Sequence, residues 1–145
     1  MNREKLQTEQ EHALWQRLSS VWGIDTGAHY WFPLAEIGRT DVEAYQATYL
    51  LRALLPLGLQ AILRKRGVTT VLEFREGGGA WQVPLEDFDP SYDGEEGFWA
   101  TSDMDWILYA SHEASITIGG NWLIGEVRRA WPESDGHIWT TPSFK

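Results

Sequence analysis

The chain has 145 residues, nine tryptophans, no cysteine and a formal net charge of −9. A chain of this length buries about 68–70% of its unfolded surface, so we expect one domain, residues 1–145, without disulfides, thiolate metal sites or a cysteine nucleophile. Residues 1–16 are polar and charged, and no apolar run approaches the roughly 18 residues of a membrane span, so the sequence predicts a cytoplasmic protein that does not bind a membrane.

The chain begins with a pattern that predicts a helix over residues 2–22. Leu14, Leu18 and Trp22 recur at helical spacing and form one apolar stripe. Gly23 follows the stripe, and glycine commonly ends helices. The sequence therefore predicts an amphipathic N-terminal helix that stops at Gly23.

Residues 23–34 are rich in glycine and aromatic side chains and fit no regular element. Three consecutive aromatics offer a stacking platform, and the histidine before them could line a pocket. This segment supports an alternative function, in which the chain binds a small molecule or carbohydrate or acts as a minor enzyme. The residues of this alternative pocket are His29, Tyr30, Trp31, Phe32, His112 and Glu113. A loop packed by its own aromatic residues is the simpler explanation.

A second helix is predicted to begin at Thr40. Thr40 and Glu43 match a capping box, in which both side chains satisfy backbone N–H groups of the first turn. Apolar residues continue at helical spacing to a basic end at residues 64–66, where positive charge suits the helix dipole. Pro56 and Gly58 interrupt the pattern, so the segment is either one kinked helix or two helices.

Beyond Gly67 the apolar spacing changes from 3.6 to 2, which predicts a β-rich part over about residues 68–119. The predicted strands cover residues 68–74, 80–83, 98–101, 106–111 and 115–118. Only residues 112–114 separate the last two strands, and so short a connection forces an antiparallel hairpin. The first strand of the hairpin is apolar on both faces, whereas Ser115 and Thr117 predict one wet face for the second.

A last helix is predicted over residues 121–131, with Asn121 as its N-cap and Pro132 beyond its end. Its apolar stripe has no other surface to cover, so the helix should fold back onto the hairpin. The sequence thus predicts an α+β fold. Helices occupy about residues 2–66, and a mostly antiparallel sheet of about five strands follows, with the C-terminal helix packed on it.

Negative charge is concentrated in the second half of the chain. Residues 1–66 carry eight Lys/Arg and seven Asp/Glu, whereas residues 67–145 carry four and fourteen. From Glu76 to Val127 there is no Lys or Arg. A surface of one sign repels phosphate backbones and steers basic partners, so we expect a protein partner with a basic surface and no nucleic acid. The alternative is that the charge serves only solubility.

The acidic loop, residues 86–96, is the predicted partner-binding segment. Its carboxylates would supply electrostatic steering, and exposed aromatic residues beside them would supply anchors. The predicted contact residues are Glu86, Asp87, Asp89, Tyr92, Asp93, Glu95, Glu96, Phe98 and Trp99. Residues 89–94 also match the opening of an EF-hand calcium loop, but Ala100 stands where that loop requires glutamate. No metal or cofactor is predicted.

His112 and Glu113 begin the zinc-protease motif His-Glu-x-x-His, but Ile116 replaces the second histidine and the pair lies in a turn. Ser111, His112 and Glu113 are adjacent and alternate faces, so they do not form a ready-made catalytic triad. Glu73 and Glu113 could form a carboxylate pair of the glycosidase kind, although surface positions on strands explain both. The sequence therefore predicts no catalytic residue.

The segment DWILYASHEASITIGGNWLI, residues 105–124, resembles the closing hairpin and helix of small bacterial proteins. Some of these are immunity proteins of polymorphic toxin systems. The resemblance implies binding rather than chemistry, because an acidic immunity protein typically plugs a basic nuclease with aromatic anchors inside a ring of carboxylates. We therefore expect a non-catalytic protein-binding module of the immunity type that places an acidic face against a basic partner. A structural or oligomeric role without a ligand is a further alternative.

Overall fold

A computed structural model of the protein describes residues 3–24, 40–54 and 57–139. Its helices and strands, in chain order, are β1 (Glu4–Lys5), α1 (Thr8–Trp22), β2 (Val42–Gln46), α2 (Ala47–Leu54), α3 (Leu57–Lys65), β3 (Thr70–Arg75), β4 (Ala80–Pro84), β5 (Gly97–Ala100), β6 (Ile107–Ala110), β7 (Ser115–Gly119) and α4 (Asn121–Ala130). Short 3-10 helices cover Leu85–Asp87 and Pro132–His137. The predicted α+β class is confirmed.

Seven strands form one antiparallel sheet in the order β1-β4-β3-β5-β6-β7-β2. Five of them lie close to the predicted strands, and the two that the sequence does not predict, β1 and β2, are the outer ones. The β6–β7 hairpin is confirmed, with Tyr109 opposite Thr117. Only residues 111–114 connect the two strands, far fewer than the dozen or so residues that a parallel return needs. The sheet is therefore larger than the predicted one of about five strands.

The sheet separates two hydrophobic clusters. On one face α2, α3 and α4 pack over strand residues that include Trp99 and Leu108. On the other face α1 packs, through Leu18, over strand residues that include Phe98 and Tyr109. Adjacent strand residues enter different clusters because side chains alternate along a strand. Strand β6 is apolar on both faces, as predicted, because helices cover both.

Residues 42–46 form strand β2 rather than the first turns of a helix. All five residues pair with β7, and the Tyr45 side chain is fully buried. The capping box of Thr40 and Glu43 would contribute only about 1 kcal/mol, which the backbone pairing and the burial of Tyr45 outweigh. The helix begins at Ala47, and α2 and α3 are two separate helices.

The helix predicted over residues 2–22 begins only at Thr8, because Glu4–Lys5 pair with β4 as strand β1. Its predicted end is confirmed. Gly23 has a φ of 70°, in the left-handed region that favours glycine, and its N–H donates to the carbonyl of Ser19 at 2.8 Å. At α4 the N-cap is Gly120 rather than Asn121, and no side chain caps the helix.

The prediction of a wet face on β7 is wrong, since Ser115 and Thr117 are fully buried. The layer that contains α1 covers this face of the sheet. Trp22 of α1 lies so close to Gly119 that a Cβ there would meet its ring at 2.8 Å. A polar residue on a strand does not imply solvent when a helix covers that side of the sheet.

Both edges of the sheet are short or covered. Strand β1 has two residues. Strand β2 is bordered by the segment Ile138–Trp139, in which Ile138 bridges Tyr45 and the N–H of Trp139 donates to the carbonyl of Ala44 at 2.9 Å. Natural sheets commonly limit exposed edges by such means.

Candidate functional site

The acidic loop connects β4 to β5 and lies against the end of β3. Arg75, the last residue of β3, donates to the carboxylate of Asp93 at 3.3 Å and to the carbonyl of Glu95 at 3.0 Å. The N–H of Glu76 donates to the carbonyl of Glu96 at 3.0 Å, and the N–H of Glu96 donates to the Glu76 carboxylate at 3.2 Å. These bonds fasten the second half of the loop to the sheet.

A buried ion cluster holds Arg75 in place. The carboxylate of Glu73 accepts hydrogen bonds from Arg75 at 3.1 Å, from Arg3 at 2.6 Å and from the Trp99 indole at 3.1 Å. The side chains of Glu73 and Arg75 are only 6% and 8% exposed. Both lose most of their hydration, so removing either one leaves the other buried without its main partner. Gly97 leaves room for Arg75, because a Cβ there would meet the guanidinium at 2.9 Å.

Arg3 and Arg75 belong to this site but are not predicted from the sequence. Arg75 lies one residue before the stretch without basic residues that begins at Glu76. Its spacing from Glu73 is an available signal, because residues i and i+2 of a strand lie on the same face. Arg3 is distant in sequence, and only the pairing of β1 with β4 brings it close to β3.

A cavity of about 280 Å³ lies between the ion cluster and the acidic loop. Its lining residues are Arg3, Glu73, Arg75, Asp87, Asp89, Ser91 and Asp93. Asp89 and Asp93 are exposed, and so is Tyr92, which precedes Asp93 in the chain. A concave surface with exposed carboxylates attracts positively charged side chains.

The structure divides the predicted partner-binding residues into two groups. Those that reach solvent at least in part are Glu86, Asp87, Asp89, Tyr92, Asp93 and Glu95. Those that are fully buried are Glu96, Phe98 and Trp99. The prediction that Phe98 and Trp99 are exposed anchors is wrong, because both lie in β5, a strand inside the sheet with both faces covered.

Glu96 turns inward and binds the β6–β7 turn. Its side chain is 1% exposed, accepts the backbone N–H of His112 at 2.8 Å and lies 2.6 Å from His112 Nδ1. Nε2 of the same ring lies 2.9 Å from the carboxylate of Glu113. The hydrogen bond with Glu96 raises the pKa of His112 above its ordinary value of 6.5, and the charges of Glu96, Glu113 and Glu76 act in the same direction.

This cluster does not have the arrangement of a catalytic triad. The hydroxyl of Ser111 is buried, lies 2.7 Å from that of Ser115 and accepts the N–H of Glu113 at 3.1 Å. Both ring nitrogens of His112 face carboxylates instead of a nucleophile. Glu73 binds arginines while Glu113 binds His112, so each carboxylate of the glycosidase-type pair has a different partner.

The structure describes only part of the alternative pocket. His112 and Glu113 lie together in the β6–β7 turn. The other predicted residues, His29, Tyr30, Trp31 and Phe32, lie outside the described residues. Within residues 3–24, 40–54 and 57–139, no group of three His, Asp or Glu side chains is arranged to hold a metal ion.

A second concave surface, the α3–α4 groove, is not predicted from the sequence. It consists of two adjoining cavities of about 240 and 390 Å³ that share Ile62, Lys65 and Glu126. Its apolar and small lining residues are Leu54, Gly58, Ala61, Ile62, Trp122 and Ala130. Its charged lining residues are Lys65, Arg66, Glu126 and Arg129. The available signal is the basic end of α3 in a stretch, residues 47–69, without Asp or Glu.

Comparison of the chain with protein-family models, with curated proteins and with solved structures finds no match. The resemblance of residues 105–124 to immunity proteins stays a prediction. Within the part of the chain that the structure describes, no helix combines the length and the apolar character needed to cross a bilayer.

Proposed function

We propose that this chain is a non-catalytic protein-binding module whose acidic loop docks on a basic protein surface. The observation that supports the proposal most directly is the group of exposed acidic residues Glu86, Asp89 and Asp93 on the same loop as the exposed Tyr92. A lysine or arginine of the partner would enter the cavity beside Asp89 and Asp93. Tyr92 would supply the aromatic anchor, because tyrosine is enriched among residues that dominate binding energy.

The second half of the loop is suited to binding because bonds to the rest of the molecule hold it in place. Arg75 holds Asp93 and the Glu95 carbonyl, and Glu96 is bonded to His112. A loop fixed before association loses less conformational entropy when it binds. The same bonds divert Glu96, and part of the charge of Asp93, away from a partner. Steering therefore falls mainly to the exposed Glu86 and Asp89.

The sequence resemblance favours an inhibitor of the immunity type as the specific form of this proposal. In that form the acidic loop would cover the basic surface with which a nuclease binds the phosphate backbone of its nucleic-acid substrate. The net charge of −9 argues against nucleic acid itself as the partner. Residence in the cytoplasm belongs to the same proposal.

The alternative of a small-molecule or carbohydrate-binding protein, or a minor enzyme, depends on the aromatic segment at residues 29–32. Of the pocket residues that the structure describes, His112 is engaged with Glu113 and also with Glu96. Their contacts explain how the turn is held to the acidic loop. The protein-binding proposal therefore has the stronger support.

Capture experiments with the immobilised chain and a lysate of its source organism test the proposal. We expect a basic protein to be retained at low salt and released at high salt, because charges at the rim of an interface act mainly on the association rate. The double variant Glu86→Gln/Asp89→Asn should lose this protein. Tyr92→Ala should weaken binding by roughly 30-fold, the effect of a hot-spot residue worth about 2 kcal/mol.

The matched control is Glu9→Gln/Glu133→Gln, which removes two exposed charges outside the acidic loop and leaves the same net charge as the test variant. This control should retain the partner as well as the natural chain does. Equal losses in both double variants would show a general effect of net charge. A partner held without regard to salt would also contradict the proposal.

A further inference from the structure

The α3–α4 groove is an apolar trench between two helices. The small residues Gly58 and Ala61 on α3 and Ala130 on α4 leave the space between the two helices open. Helices pack with their axes about 8–10 Å apart, and small residues at the contact permit the closer distances. Leu57, beside Gly58, is 74% exposed. A contiguous exposed apolar patch, rather than a single exposed leucine, marks a surface that binds other proteins.

The charge around the groove is opposite to that of the acidic loop. Residues 47–69 carry four Lys/Arg and no Asp/Glu. Lys65 lies where the two cavities meet and forms no ion pair with any described residue. An ammonium group beside an apolar trench is complementary to a carboxylate carried by an apolar ligand.

The other charged residues of the groove already have contacts. Arg66 lies over the Trp122 ring, 4.2 Å from its centroid, and 3.8 Å from the carboxylate of Asp105. Arg129 donates to Glu126 at 2.6 Å, one turn back on α4. Both arginines are exposed, and exposed pairs contribute little. Their guanidinium groups can therefore turn to a new carboxylate at small cost.

We propose that the α3–α4 groove binds an acidic amphipathic helix of a partner protein. The apolar side chains of that helix, spaced at i, i+3 or i+4 and i+7, lie in the trench over Ile62 and Ala130. Its carboxylates meet Lys65 and Arg129 at the rim. The groove and the acidic loop share no lining residue, so this binding does not require the function proposed above.

Two other occupants fit less well. A phosphate backbone gains nothing from the apolar surface of Leu54 and Ile62, and Glu126 repels it. A second copy of this chain offers no suitable helix among the described residues. The first turn of α1 is acidic, but its apolar stripe, with Leu18 and Trp22, already packs on its own sheet.

A phage-displayed library of helix-forming peptides, selected on the full chain, tests the proposal. Peptides of roughly 18 residues form about 27 Å of helix, which spans several turns of the groove walls. We expect the selected peptides to share an apolar stripe at helical spacing with Asp and Glu on both sides. Synthetic copies should bind Lys65→Glu at least about ten-fold more weakly than the natural chain.

Two further variants make the result specific. Ala61→Arg fills the trench from an exposed helical position and should abolish binding, while circular dichroism verifies its fold. Arg17→Glu makes the same kind of charge reversal on α1, on the opposite face of the sheet, and should leave the affinity unchanged. Isothermal titration calorimetry of each variant measures these differences.

Several outcomes overturn the proposal. One is that no peptide is enriched, or that the enriched peptides lack acidic side chains. Another is an equal loss of affinity in Lys65→Glu and Arg17→Glu. If duplex DNA binds the natural chain and does not bind Ala61→Arg, the groove is a nucleic-acid site. Self-association that Ala61→Arg abolishes would assign it to a second copy.

Discussion

The acidic loop and the α3–α4 groove use their charges in opposite ways. In the loop, Asp93, Glu95 and Glu96 are bonded within the molecule, to Arg75, to the backbone of Gly77 and to His112. In the groove, Lys65 has no ion-pair partner among the described residues. The count of charges along a segment therefore overstates what the loop offers to a partner, because part of that charge is already bonded inside the molecule.

The largest effect expected from this comparison follows the loss of Arg75. Arg75→Met removes a cation from a buried ion cluster and releases the acidic loop at Asp93. Removing one partner of a buried pair costs about 3–5 kcal/mol. Arg3 still binds Glu73, so we expect a loss near the lower limit, about 3 kcal/mol in the free energy of unfolding measured with urea.

Two matched variants sharpen this measurement. Arg17→Met removes an exposed arginine and should change the stability by no more than about 0.5 kcal/mol. Glu73→Gln/Arg75→Met should recover part of the loss, because no buried carboxylate then stays without Arg75. If Arg75→Met is as stable as Arg17→Met, the ion cluster does not fix the loop.

A smaller effect is expected on the helical side of the molecule. The half-exposed Arg128 of α4 donates to the largely buried carboxylate of Glu43 in β2. Burial also raises the pKa of neighbouring Tyr45 to about 12, so its hydroxyl stays neutral. Arg128→Ala should lower the free energy of unfolding by about 1 kcal/mol, between the values for exposed and buried pairs.

A double-mutant cycle with Glu43→Gln isolates the coupling between Arg128 and Glu43. The control is Lys65→Gln, at a groove residue that forms no ion pair within residues 3–24, 40–54 and 57–139, and it should change the stability by no more than about 0.5 kcal/mol. If Arg128→Ala and Lys65→Gln change the free energy of unfolding equally, the ion pair of Arg128 with Glu43 does not stabilise the fold.

The smallest effect concerns the bond between the acidic loop and the β6–β7 turn. The pKa of His112 is raised in the folded protein above 6.5, so folding binds its proton more tightly. The stability that this provides is complete below about pH 6.5 and is lost as the pH rises through the raised pKa. The effect is modest because the His112 side chain is 58% exposed and solvent screens its charge.

Urea denaturation of the natural chain and of His112→Gln, from about pH 5.5 to pH 9, measures this contribution. We expect the natural chain to exceed the variant most at the acidic end, with a difference that narrows as the pH rises. A difference that stays constant or widens with pH would mean that protonated His112 does not bind Glu96.

An element is predictable from the sequence when the residues within it favour the same structure as its contacts in the folded protein. The β6–β7 hairpin is one, because a turn of three residues admits only an antiparallel return. Strand β2 is not, because Thr40 and Glu43 favour a helix locally while its partner β7 is far along the chain. Pairing between distant segments leaves no trace in a short window of sequence.

The candidate site was predictable in its location but not in its side chains. The composition of the acidic loop identifies it in the sequence, yet neighbouring acidic residues differ in their exposure to solvent. Glu95 is partly exposed, whereas Glu96 is buried against His112. Phe98 and Trp99 follow the acidic residues directly, and only the helices on both faces of the sheet show that they are core residues. The α3–α4 groove depends on two helices that are distant in sequence.

The cover over strand β2 has a consequence for handling the protein. Trp139 holds the strand through its backbone N–H, and its indole donates to the carbonyl of Glu113 at 3.1 Å. A chain cut before Ile138 would present a bare row of amide and carbonyl groups to identical neighbours, and such rows join into fibrillar aggregates. We therefore expect a chain cut before Ile138 to aggregate at lower concentration than the full chain.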